Sequence, residues 1–372
     1  MTSQFKPVQF VDADAQRIQT ELITAFEQAT GQFLYPGDPR RIFLLQLVPT
    51  LVAMKSDINF SGNQNLLPFA VGSVLDALGD RMGVPRLEAQ KAQVTMRYTI
   101  SAIQPNPITI PKGSLVTPDG VLYYATDADL IITPGATSGD VLAKSTEGGE
   151  KYNGFVAGQI NIIVEPMPFV ASAVSLDTSS GGSDAESDDA YRDRQRLAPS
   201  SFSVAGPEDA YVFWAKTADV NIVDLAVTSP SAGAINIYVL MKGGGAPSQA
   251  VLDKVMANVS ADDRRPLTDN VAVFARTAVN YDINLTYYIS AEKSTEEATI
   301  RAAIENAGGA IDQYEQWQYV KLGRAITPDD LLSKMYAAGA YRVVVTAPVY
   351  TLINPNEVAL RNLKTVTYGG LI

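Results

Sequence analysis

The chain has 372 residues, enough for about two to four domains, and its 46% hydrophobic and 19% charged residues are ordinary globular usage. With 29 Lys+Arg against 40 Asp+Glu the net charge is −11, which repels phosphate backbones and argues against nucleic acid as a partner. There is no Cys and no His. That excludes disulfides, thiolate nucleophiles, thiolate and His-ligated metal sites and the usual serine triads, and leaves carboxylates, Lys, Tyr, Ser and Thr for any catalysis.

The opening MTSQFKPVQFVDAD lacks the apolar run of a secretory signal, so the product is expected to be made in the cytoplasm. Ile18, Leu22, Phe26 and Ala29 recur at helical spacing, and Gly31 ends that helix. Asp38-Pro39 starts a second helix with Pro at its first position. It passes Pro49, where a kink or break is expected. Its apolar segment IFLLQLVPTLVAM (42–54) holds Gln46 and Pro49 and is too short to cross a bilayer. It reads as a buried helix, and no membrane contact is expected. A third helical stretch, Asn65 to Arg81, closes on Gly83 and Pro85. These helices are apolar on more than one side. Residues 1–90 therefore read as a helical bundle that either packs on itself or is completed by helices of other chains. Ile18, Leu22, Phe26, Ile42, Leu45 and Leu66 are the candidate interface positions.

Residues 91–176 change character. VTMRYTI (94–100) alternates, PITIPKGSLVTPDGVLYYAT (107–126) is short strands cut by Pro-Lys-Gly and Pro-Asp-Gly turns, and QINIIV (159–164) is a further strand. This is a compact antiparallel β domain. LDTSSGGSDAESDDAYRDRQRLAPS (176–200) is a Ser/Gly linker feeding a helix with acids at its start and Arg at its end, which suits the helix dipole. Asp184, Glu186 and Asp188 alternate as in a calcium loop. The EF-hand pattern then wants Gly at 189 and Glu at 195, where Asp189 and Gln195 stand. No metal and no cofactor are expected.

From residue 203 helix and strand alternate. Gly206-Pro-Glu-Asp209 starts a helix that feeds the strand VNIVDLAV (220–227), and Thr327-Pro-Asp-Asp330 starts one that feeds YRVVVTAP (341–348). The two units resemble each other and suggest related halves. Strands are also expected at 271–275 and 281–289, with Ser294 and Glu297 as a capping box for the helix after 290. Between these units lies INIYVLMKGGGAPSQAVLDKV (235–255), the strand–glycine turn–helix order of a phosphate loop. Yet Lys242 precedes the glycines, and Ser248 stands where a dinucleotide turn needs its third Gly. The turn therefore reads as a connection. Ser290-Ala-Glu-Lys293 lacks its companion catalytic motifs. The pairs Asp188–Asp189 and Asp329–Asp330 sit at helix starts, and Asp262–Asp263 is a third acidic pair. No catalytic residue is assigned. The expected fold is multidomain α+β: a helical bundle (1–90), an antiparallel β domain (91–176) and two C-terminal α+β domains with mixed sheets (177–277 and 278–372).

Five segments together, FVDADAQRIQTELITAFEQATGQFLYPGDPRRIFLLQLVP, NQNLLPFAVGSVLDALGDRMGVPRL, GGSDAESDDAYRDRQRLAPSSFSVAGPEDAYVFWA, SAGAINIYVLMKGGGAPSQAVLDKV and DRRPLTDNVAV, resemble in their order the baseplate protein J family of contractile-tailed phages and related injection machines. The matching positions are Leu34, Tyr35, Pro36, Asp38 and Pro39; Leu75, Asp76, Leu78 and Gly79; Gly181, Gly182, Glu186, Ser187, Asp188, Arg192 and Arg194; and Gly206, Asp209 and Tyr211. Pro207 replaces the family's more usual Thr or Ser. The resemblance implies a non-enzymatic wedge protein of the virion baseplate, paired with a second copy. It implies N-terminal helices bundled with a second wedge protein, in a six-fold ring about the central hub and spike and next to the sheath initiator. Three other readings stay open: a tail glycan hydrolase using only carboxylates, a receptor-binding or adhesin module on the β domain, and a nucleotide binder at Gly243–Gly245.

Overall fold

The computed structural model describes residues 5–203, 206–261, 264–266 and 268–372. The pair Asp262–Asp263 lies outside the described residues. Contacts divide the chain into two compact units, Met1–Arg86 with Ser187–Arg196 and Leu87–Glu186 with Leu197–Ile372.

The first unit holds α1 (Ala15–Thr30), α2 (Pro39–Asn63), α3 (Gly72–Asp80) and most of α4 (Asp188–Leu197). Asp14 caps α1 by accepting from the Arg17 N–H, and Gly31, at φ 67°, ends it. Asp38 accepts from the Arg40 N–H, and Pro39 opens α2 as expected. The helix then runs unbroken through Pro49. Proline removes one N–H from a 25-residue ladder, and the turns on either side carry the helix across it. The third helix starts later than expected, at Gly72. The Gln64 side chain bonds the Phe69 carbonyl and the Val71 N–H, which holds residues 64–71 as turns ahead of it.

The expectation of a buried second helix is wrong. In α2 only Val48 and Asn63 are buried, because α1 and the extended segment before it cover one side alone. α4 returns to α3. The Tyr191 hydroxyl donates to the Val84 carbonyl (2.6 Å), Arg192 to the Leu67 and Ala70 carbonyls, and Gln195 to the Leu75 carbonyl.

The second unit begins with an antiparallel sheet that curls toward closure. Its strands are β1 (Lys91–Ile100), β3 (Leu115–Thr117), β4 (Tyr124–Thr126), β6 (Ser138–Gly148), β7 (Ile162–Ile163) and β8 (Val170–Ser175), in the order β7-β3-β4-β6-β1-β8. The end strands β7 and β8 touch. A ribbon of β2 (Ile108–Ile110) and β5 (Leu130–Ile132) adds to it. Strict alternation along β1 turns Val94, Met96, Tyr98 and Ile100 into the barrel core and leaves Lys91, Gln93 and Arg97 to solvent. Of the strand expected at 159–164 only Ile162–Ile163 pairs.

Next come α5 (Glu208–Lys216), β9 (Ile222–Ser231), β10 (Ala234–Met241), α6 (Gln249–Val259) and β11 (Asn270–Ala275), with sheet order β11-β10-β9. The last part is β12 (Thr277–Ile289), α7 (Glu297–Glu305), α8 (Ala310–Tyr319), α9 (Pro328–Ala337), β13 (Arg342–Ala347) and β14 (Glu357–Leu371), with order β13-β12-β14. In both sheets the central strand has one parallel and one antiparallel neighbour. The resembling units α5–β9 and α9–β13 each deliver the antiparallel edge strand. Their chain orders differ, because the centre follows β9 but precedes β13. The capping box at Ser294 and Glu297 does not form. Ser290 instead caps a 3-10 turn over Ala291–Glu296, and α7 starts from Glu296 without a side-chain cap.

Candidate assembly surface

α2 spans 25 residues, and by length and mean hydropathy (1.2) it matches a membrane span; only 6% of that window is buried. Phe43, Leu47, Met54 and Ile58 are 65%, 40%, 57% and 50% exposed. At about 100° per residue they fall within about 60° of arc, one continuous strip on the side away from Asn59 and Asn63.

Of the six candidate interface positions, Ile18 is buried in the unit's own core, Leu22, Phe26 and Leu45 are half-buried, and Ile42 and Leu66 are exposed. Arg40 lies 5.9 Å from the Phe26 ring. The exposed strip was missed. Its signal, apolar residues at 43, 47, 54 and 58, was present in the sequence, but periodicity alone cannot say which face the chain itself covers.

The positions that carry the family resemblance hold local structure. Leu34 and Leu75 are fully buried, Leu78 is half-buried, and Tyr35 and Pro36 are exposed beside the cap Asp38-Pro39. Asp76 and Asp188 both pair with Arg86 at 2.7 Å. The Gly72 N–H (3.0 Å) and then Arg86 hold the Asp188 carboxyl below the usual carboxylate range. A Cβ on Gly79 would stand 1.9 Å from the Tyr191 hydroxyl, so only glycine admits α4 here. Arg192 reaches main-chain carbonyls and Asp189, and buried Arg194 donates to the Pro85 carbonyl. Gly181 has φ 85°, and Gly182 lies against the Gly149 carbonyl. Gly206 packs on Pro266 and Asp269, Asp209 sits in the first turn of α5, and Tyr211 donates to Asp269 at 2.6 Å. The alternating acids are engaged separately: Asp184 accepts from the Glu150 N–H and buried Glu186 from the Leu87 N–H.

The glycine turn is a junction within the second unit. Gly244 has φ 75°, and a Cβ there would meet Leu360 at 2.6 Å and Tyr319 at 3.0 Å. Beneath it Leu240, Leu322 and Val358 share a core. Lys242 pairs with Glu150, and the Gly244 carbonyl accepts from Arg276. Ser248 occupies the N-cap of α6 without a side-chain bond. Gly244 lets α8 and β14 approach the turn closely.

Covered cores in the second unit, together with a long apolar helix uncovered in the first, define a multidomain building block. Residues 95–182 match the Baseplate J-like protein barrel domain, and residues 203–275 match the Baseplate J-like central domain. Baseplate protein J of Escherichia phage P2 is 33% identical over 187 residues, 50% of this chain and 60% of that protein. Two stretches of the chain, residues 95–182 and 203–275, are thus similar to baseplate J-like domains, and the chain matches 60% of the length of its phage P2 relative. Among solved structures, a chain in the cryo-EM structure of the anti-feeding prophage baseplate, 6-fold symmetrised, is similar at TM-score 0.47 and 13% identity, over 93% of this chain and 90% of that one.

Proposed function

We propose that this chain is a non-enzymatic wedge component of a contractile-tail baseplate in the virion. Two copies pair within each wedge, and their N-terminal helices join a second wedge protein through the exposed strip of α2. The observation that carries this reading is a 25-residue apolar helix left largely uncovered in a chain with two baseplate J-like domains. Burying an apolar side chain of this size contributes about 1.5–3 kcal/mol. Phe43, Leu47, Met54 and Ile58 are each about half exposed, so covering all four contributes about 3–6 kcal/mol. The C-terminal domains then make ring contacts about the central hub and spike and near the sheath initiator. Receptor binding rearranges the ring and releases contraction, which needs interfaces with two packings close in energy.

The test is co-expression with the neighbouring tail proteins, followed by native mass spectrometry and electron microscopy. The expected result is a complex with this chain in paired copies. In the variant carrying Phe43→Asp and Met54→Asp the complex is lost, while the isolated chain keeps its stability within about 0.5 kcal/mol, as exposed substitutions do. A chain that stays single beside every neighbour, and is missing from purified particles, overturns the reading.

A further inference from the structure

The extended segment before α1 lies along the C-terminal half of α2, held by two asparagines one helical turn apart. The Val8 N–H donates to Asn63 Oδ1 (2.8 Å), and Asn63 Nδ2 donates to the Val8 carbonyl (2.7 Å). The Phe10 and Val11 N–H groups both donate to Asn59 Oδ1 (2.8 and 2.9 Å), and Asn59 Nδ2 donates to the Val11 carbonyl (2.8 Å). All five bonds go to main chain. An asparagine amide offers the same donor and acceptor as a peptide group, so this stretch of α2 accepts a segment as a neighbouring strand would. Side-chain selection enters at one place, where Gly62 leaves room for the Phe10 ring: a Cβ there would lie 2.5 Å from it.

The lengths fit. α2 has 25 residues and α1 has 16. At 1.5 Å per residue α2 outruns α1 by about 13 Å, which four extended residues cover. The side chains of the segment nonetheless stay open: Val8 is 44% and Phe10 51% exposed, next to Phe60 at 60%. A cavity of about 330 Å³ opens between the segment and Phe60 and Phe69.

Building on the pairing reading above, we propose that residues 8–11 are an exchangeable arm and that, in the paired state, the Asn59–Asn63 clamp of each copy holds the arm of the other. The face under the arm is lined with amides, so what it takes is an extended main chain, not the apolar side of a helix. A second copy of this chain supplies a segment that reproduces all five bonds and fills the notch at Gly62. The reach suffices: packed helices lie about 8–10 Å apart, and the three residues Asp12–Asp14 between arm and α1 span about 10 Å when extended. Exchange conserves every clamp bond and covers Val8, Phe10 and Phe60 between the two copies, the low-cost route by which swapped elements join protomers.

The chain has no cysteine, so a single engineered pair reports the connection. A Cβ at Gly62 lies 3.1 Å from Phe10 Cγ, which puts the two Cβ atoms no more than about 4.6 Å apart, close to disulfide spacing. The full-length variant with Phe10→Cys and Gly62→Cys is co-expressed with the neighbouring tail proteins, oxidised in the assembled state, denatured without reductant and weighed. Exchange predicts that the mass of the chain doubles. A monomer closed by a 10–62 disulfide, from a complex that native mass spectrometry shows to hold two copies, overturns the exchange and leaves the pairing intact. Absence of any paired complex overturns both. Should the cysteine variant not fold, Asn59→Leu with Asn63→Leu serves instead. Exchange predicts that pair dissociation rises at least about tenfold, and an unchanged dissociation constant overturns it.

Discussion

Gly79→Ala is the sharpest test of how α4 is seated. At an ordinary helical site this substitution stabilises by about 1 kcal/mol. Here the new methyl meets the Tyr191 hydroxyl at 1.9 Å and Gln195 Nε2 at 2.7 Å. Both groups are buried and bonded, to the Val84 and Leu75 carbonyls. Overpacking costs about 1–3 kcal/mol. Pushing the hydroxyl off its carbonyl leaves buried polar groups unpaired, at about 1–3 kcal/mol more. The net expectation is a loss of about 3 kcal/mol, the middle of a range of about 1–5 kcal/mol, confined to the first unit. A multidomain chain does not unfold in one step, so the measurement is amide hydrogen exchange. Protection should fall about thirtyfold or more across α3 and α4, while β1 and β6 keep theirs. Adding Tyr191→Phe removes the clashing oxygen and should restore part of the loss, a coupling that a double-mutant cycle reads directly. Protection that rises in Gly79→Ala, as at a free helix glycine, would refute the packing argument.

Two further outcomes follow from the second unit. At the glycine turn, Gly243 and Gly244 both have positive φ, but a Cβ at 243 meets nothing within 4 Å while one at 244 strikes Leu360. Gly243→Ala should cost about 1–2 kcal/mol from the backbone alone and Gly244→Ala about 1–3 kcal/mol more, read as exchange at Leu240, Leu322 and Val358; equal effects would count against the junction. In the barrel, burial pushes the Tyr98 hydroxyl up to about 12 from its usual 10. The folded state therefore keeps this proton after the unfolded chain has lost it. The stability linked to Tyr98 is whole below pH 10 and falls by about 2–3 kcal/mol as pH rises to 12. Tyr98→Phe should remove that share of the alkaline loss in barrel amide exchange, and an identical pH profile would contradict it.

Local chemistry was legible where one residue type satisfies one need. Asp38-Pro39 and Thr327-Pro328 open helices, Gly31 closes one, and alternation along β1 gives its two faces. The return of α4 to α3 left no such trace. It rests on side chains reaching carbonyls more than 100 residues away, such as Tyr191 to Val84 and Arg192 to Leu67, and neither end is periodic. β14 was unseen for a related reason: it pairs in parallel with β12 across two register shifts, so its faces do not alternate cleanly.

The surface of α2 was hidden in a different way. Its sequence records how apolar the helix is, but only the folded chain shows which side α1 and the extended segment cover. The same logic separates the two kinds of similarity in this protein. The motif positions are taken up by the chain's own caps, turns and close approaches: Gly79 under Tyr191, Gly182 on the Gly149 carbonyl, Asp188 on Arg86. Resemblance at those positions therefore reports fold. What the chain grips must be sought in apolar surface that folding leaves unused, and Phe43, Leu47, Met54 and Ile58 are such a remainder.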